Sequence, residues 1–210
     1  NISKLDGGSG SDWLIFKPAS NSNETNQNEG KSIYITTGGA INFENLAGSN
    51  ANEILYGDSG NNIIAGSYYS DLSFFNYYGG IDTLYGLSGD DLLYGHGELF
   101  GGSGNDQLFA SYENDILDGG SGADIITTGS GSDVIVIRPE DRVSSLELVD
   151  RITDYENGYD LIGMVGLSYS DFSITQGEGS YASHTLLSVD DKYVAILENT
   201  TCAVIAKSEF

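Results

Sequence analysis

Four aspartates fall nine residues apart, at Asp106, Asp115, Asp124 and Asp133; Asp82 and Asp91 repeat the interval, and Glu53, Asn62 and Asp71 do so with weaker residues. Glycine-rich turns precede these positions: Gly101-Gly102-Ser103-Gly104-Asn105-Asp106, Gly119-Gly120-Ser121-Gly122-Ala123-Asp124 and, near the start, Gly7-Gly8-Ser9-Gly10-Ser11-Asp12. Looser copies are Gly86-Leu87-Ser88-Gly89-Asp90-Asp91 and Thr128-Gly129-Ser130-Gly131-Ser132-Asp133. Glycine reaches backbone conformations with φ > 0, so such a turn can aim its carbonyls inward. Aspartate adds a short, hard carboxylate. Together they offer oxygen ligands only, the chemistry of Ca²⁺, bound at about 2.3–2.6 Å. The candidate metal ligands are therefore Gly8, Gly10 and Asp12; Asp82; Gly89 and Asp91; Gly102, Gly104 and Asp106; Asp115; Gly120, Gly122 and Asp124; and Gly129, Gly131 and Asp133. Several ions are expected.

The charge distribution asks for the same ion. The chain of 210 residues has 31 acids against 8 bases, a formal charge of −23. Between Lys31 and Arg138 there are fourteen acids and no Lys or Arg at all. A compact fold so loaded repels itself, and a divalent cation from outside is the natural counter-charge. Nucleic acid and anionic membrane are poor partners for this surface, and no apolar run is long enough to span a bilayer as a helix. Cys202 is the one cysteine, so no intrachain disulfide forms, and a small buried apolar role is expected for it.

The elements that must position the acids follow from the same period. Two residues after each acid position comes an aliphatic: Leu14, Leu55, Ile64, Leu84, Leu93, Leu108, Leu117, Ile126 and Ile135. Leu46 opens the second block, as Leu5 opens the first, and Leu99 fills the slot in a short six-residue rung, Gly95 to Phe100, that makes the Asp91–Asp106 interval fifteen. Six turn residues followed by three extended ones cannot be a helix. One inward aliphatic per short strand predicts a flat core between two parallel sheets, two nonapeptides per coil, with rungs eighteen residues apart stacked on one side. Stacked strands lie about 4.8 Å apart, close to twice a Ca–O distance of about 2.4 Å, so one ion fits between successive coils. Without it, two such carboxylates repel by roughly 1 kcal/mol in water and by several in a lower dielectric.

The fold expected is all-β: a parallel β-roll over 1–138, with insertions at 17–31 and 67–78, and a small C-terminal β cap over 139–210, where glycine turns give way to alternating strands. Aromatic residues stand at outward positions of the rungs. Coil stacking places Tyr94 and Phe109 in one column, and Tyr85 and Phe100 in the other. They are either covered within the chain or a surface for a second copy or an extracellular polymer.

The repeats resemble the RTX (repeats-in-toxin) family of secreted bacterial proteins, whose calcium-binding nonapeptide has the pattern G-G-x-G-x-D-x-U-x. The resemblance covers Gly79 to Val136, a weaker copy at Asn45 to Gly66, and a single turn at Gly7 to Ile15. Glu53 and Asn62 depart from the family's aspartate. The segment from Asp150 to Ile162 looks like the one that follows the repeats in many members; its Asp150, Asp154 and Asp160 either cap turns or extend the metal site. The resemblance implies a protein secreted to the exterior or surface of a bacterium, with a type I secretion signal in its C-terminal region, that leaves the cell unfolded and folds on meeting millimolar Ca²⁺. It makes the chain a non-catalytic calcium-binding module serving a surface layer, matrix, filament or adhesive contact. The alternatives are the C-terminal folding and secretion module of an RTX enzyme or toxin, and a carbohydrate-binding repeat module. No catalytic constellation stands out: Asp58-Ser59-Gly60 lies inside a repeat turn, and His96 and His184 have no second ligand at zinc spacing.

Overall fold

The computed structural model describes residues 8–16, 31–35, 43–49, 51–67, 80–205 and 210. The expected insertions at 17–31 and 67–78 and the position of Leu5 lie almost wholly outside them. The strands are β1 (Trp13–Ile15), β2 (Lys31–Tyr34), β3 (Asn45–Ala47), β4 (Glu53–Tyr56), β5 (Ile63–Ala65), β6 (Asp82–Ser88), β7 (Leu92–Tyr94), β8 (Gly97–Ser103), β9 (Gln107–Phe109), β10 (Ile116–Ser121), β11 (Ile125–Thr127), β12 (Val134–Ile137), β13 (Asp150–Ile152), β14 (Leu161–Met164), β15 (Phe172–Gln176), β16 (Thr185–Val189) and β17 (Lys192–Leu197).

Alternate rungs go to alternate sheets. One sheet runs β1-β3-β5-β7-β9-β11-β13 and continues into β17-β16-β15; the other runs β14-β12-β10-β8-β6-β4-β2. Every pairing between rungs is parallel, which is the β-roll. Where the repeat is intact the register steps by eighteen, as in Glu98↔Ile116↔Val134 and Gln107↔Ile125. Across the short rung it steps by fifteen, Thr83↔Glu98 and Leu92↔Gln107, and Leu99 still lands in the core. Because strand side chains alternate, only the middle residue of each three-residue strand faces inward. Leu46, Ile64, Leu93, Leu108 and Ile126 form one buried column and Leu55, Leu84, Leu99, Leu117 and Ile135 the other.

The sheets do not stop at Arg138. β13 pairs with β11 and β14 with β12, each adding a rung whose inward residue, Ile152 or Ile162, is buried. These rungs lie 26 and 27 residues beyond their partners, so they escape the eighteen-residue step of the coil. The antiparallel hairpin β16–β17 then joins the first sheet through the parallel β13–β17 pairing and covers its end. This end also supplies cations: Arg138 pairs with the buried Asp118, Arg142 with Asp190, and Arg151 with Glu198. Cys202 is only half-buried, contrary to expectation, because it sits in a short 3-10 turn after the last strand.

The outward aromatics stack in columns as the coil geometry requires. Tyr34, Tyr56, Tyr85 and Phe100 lie face to face at centroid distances of 4.5, 4.9 and 4.9 Å; Tyr94 and Phe109 do so on the other sheet at 5.0 Å.

Candidate metal centre

Each ladder acid is held by the coil that precedes it. Its Oδ1 accepts a hydrogen bond from the backbone N–H of the residue below: Asn62 to Asp91, Asp91 to Asp106 and Asp106 to Asp124, each 2.7 Å, then Asp124 to Asp150 at 3.0 Å. On the opposite edge Glu53 donates to Asp82 at 2.8 Å, Gly97 to Asp115 at 2.5 Å, Asp115 to Asp133 at 2.8 Å and Asp133 to Asp160 at 3.2 Å. The acids are thus two vertical ladders, one beside each sheet, and all of these aspartates are buried. Asp150 and Asp160 are full members. The sequence carried the sign of this, since both stand two residues before an inward isoleucine, as every repeat acid does.

The second carboxylate oxygen points into the acid's own turn. In Asp124 it lies over Gly119, where any Cβ would collide with it; Asp106 over Gly101 and Asp91 over Gly86 repeat the arrangement. For Asp12, Asp91, Asp106, Asp124 and Asp133 this Oδ2 is buried and meets no hydrogen-bond donor. A buried carboxylate oxygen without a partner is expensive. Burial is also the largest cause of the raised carboxyl pKa values, about 7 for Asp91, Asp124 and Asp133 and about 6 for Asp106, with like charges along the ladders adding to it. Burial holds Asp115, Asp150 and Asp160 above the ordinary range too.

The candidate glycines stand where the turn needs left-handed backbone: φ is 113° at Gly102 and 134° at Gly104, 92° at Gly120 and 145° at Gly122. Leu87 takes the place of a glycine in this column, paired with Gly102, and adopts φ 81°. Among the described residues no three acidic, histidine or cysteine side chains converge on one point. A cation at these turns would therefore rest on one or two carboxylates plus backbone carbonyls, an oxygen-only set that fits calcium. The free oxygens and open turns fit that ion; the residues that would hold it are Asp12, Asp91, Asp106, Asp124 and Asp133 with their turns.

Other sites read from the sequence are accounted for structurally. Asp58 accepts from Gly60 N–H at 2.8 Å and from the Asn62 side chain, so it braces its own turn. Asp154 accepts from the N–H groups of Thr128 and Gly129. His96 stands 4.0 Å from Asp115 beside the short rung. No helix among the described residues is long and apolar enough to cross a membrane.

Comparison with known proteins agrees with this geometry. Residues 45–68, 78–97 and 100–135 match the RTX calcium-binding nonapeptide repeat, in four copies. Repeats of this kind bind several Ca²⁺ ions, and the matched segments contain Asp91, Asp106, Asp124 and Asp133. No curated protein matches the sequence.

Proposed function

We propose that this chain, which carries RTX calcium-binding nonapeptide repeats across residues 45–135, serves outside a bacterial cell as a structural module whose fold is completed by calcium. The observation that carries this reading is the set of five buried Oδ2 atoms with no donor. They make the metal-free roll electrostatically unfavourable, and binding energy becomes folding energy. Calcium supplies the positive charge these oxygens lack. A protein poised in this way stays unfolded where calcium is scarce, during type I export, and folds where it is millimolar. The expected result in far-UV circular dichroism is loss of β signal in chelator and recovery in millimolar Ca²⁺, with Mg²⁺ a poor substitute because it requires shorter bonds and keeps its waters. Full β content and an unchanged melting point in chelator would refute the reading.

The stacked rings favour a finer role, assembly into a surface layer, matrix, filament or adhesive contact. The inward aliphatics already fill the core, so Tyr34, Tyr56, Tyr85 and Phe100 are surplus to it, and Tyr34 is exposed. A row of rings on a sheet face suits contact with a second copy or a flat polymer.

A further inference from the structure

Eight of the six-residue turns that end on a ladder position fall into two classes. In five of them the second and fourth residues are both left-handed: Gly8 and Gly10, Leu87 and Gly89, Gly102 and Gly104, Gly120 and Gly122, Gly129 and Gly131. These five end on the aspartates whose Oδ2 is buried without a donor.

In three others neither residue is left-handed, and the turn closes on itself. Ser49 N–H donates to Glu53 at 2.7 Å, Asp58 N–H to Asn62 at 2.8 Å and Ser111 N–H to Asp115 at 2.9 Å. The same second residue then accepts, through its side chain, the N–H of the fourth residue: Ala51, Gly60 and Glu113 at 3.2, 2.8 and 3.1 Å. The two serine hydroxyls also donate to the acid, Ser49 to Glu53 and Ser111 to Asp115. Asp115 is left with no free oxygen: Gly97 N–H holds Oδ1, and Ser111 N–H and Oγ hold Oδ2.

We infer that the second residue of each turn decides whether the turn takes calcium, and that the turns ending on Glu53, Asn62 and Asp115 are closed by their own serine or aspartate and take none. The physical reason is competition for one oxygen. A left-handed second residue leaves the acid's Oδ2 without an N–H partner, so a cation can claim it. A second residue without that conformation points its N–H at the same oxygen, and the side-chain bond to the fourth N–H locks it there. The inference rests on the calcium-binding reading and redistributes the ions within it: Asp115, spaced in sequence like its neighbours, is a metal-free rung.

The test counts calcium bound to the full chain by equilibrium dialysis and records the calcium midpoint of folding. Asp115→Asn should keep the wild-type count, while Asp106→Asn loses an ion and moves the midpoint by about tenfold or more. Ser111→Gly with Glu113→Gly restores the open turn and should gain one ion. Loss of an ion in Asp115→Asn, or no gain in a folded glycine variant, overturns the inference while wild-type calcium binding stands. A wild-type chain that binds no calcium overturns the functional reading itself. Should the double variant fail to fold, Asp115→Asn decides alone through its ion count, which loss of a hydrogen bond within the turn does not change.

Discussion

Raising the pH of the chelated protein should unfold it. Burial lifts the carboxyl pKa of Asp91 to about 7, whereas in an unfolded chain an aspartate titrates near 3.9. Between about pH 4 and pH 7 the folded, metal-free roll therefore keeps a proton that the unfolded chain has released. This contribution to stability is fully present below the unfolded pKa and is lost as the pH rises through the folded one. For Asp91 alone the gap corresponds to roughly 4 kcal/mol, a large part of the 5–15 kcal/mol that holds an ordinary domain together. Asp106, Asp124 and Asp133 shift in the same direction. They share ladders, so their effects do not simply add, but each pushes the same way, as does relief of the overall negative charge. The assay is thermal melting by far-UV circular dichroism in chelator, from about pH 5 to about pH 8. The melting point should fall steadily, and β signal should be lost at the upper end. Calcium competes with these protons, so its affinity for the already folded roll should rise over the same range. A chelated protein that melts at the same or a higher temperature near pH 8 than near pH 5 would refute the reasoning, because the carboxylates would then have partners in the metal-free state.

Asp124→Ala removes a free ladder oxygen and should raise the calcium midpoint by about tenfold or more, whereas Asp58→Ala, in a self-closed turn, should move it by about twofold at most; equal effects would mean that bulk charge controls folding. Leu87→Gly relieves the left-handed strain at φ 81° and should stabilise the calcium-loaded roll by about 0.5–1 kcal/mol, or about 2 °C in melting temperature. Tyr85→Ser with Phe100→Ser breaks the four-ring column and should abolish assembly, read by sedimentation in calcium, while the folded monomer persists; a wild type that stays monomeric at high concentration would rule out assembly through that column.

Much of the site was legible because its period is local. A nine-residue spacing of acid and aliphatic leaves few folds open: residues eighteen apart must stack, Leu84, Leu93 and Leu108 must face inward, and Asp106 must lie beside Asp124. The ring columns follow from the same arithmetic. What the period left open lies where the interval is broken. Asp150 and Asp160 join the ladders across insertions, and only the pairing of β11 with β13 and of β12 with β14 brings them there. Asp118 stands at a position that elsewhere holds an outward ring, and it is buried because Arg138 returns from the following coil to meet it.

The sequence by itself determined the architecture, the calcium chemistry of the repeats and the acids that line up in ladders, because composition and period are properties of the chain. Tertiary structure decided which of those acids keeps an oxygen free. Asp115 and Asp124 are alike in spacing and burial. One has its second oxygen taken by Ser111, and the other's lies over Gly119 with no donor. That difference depends on the backbone dihedrals of the turn and on where a few N–H groups point, and a hydrogen bond exists only once the coil has closed.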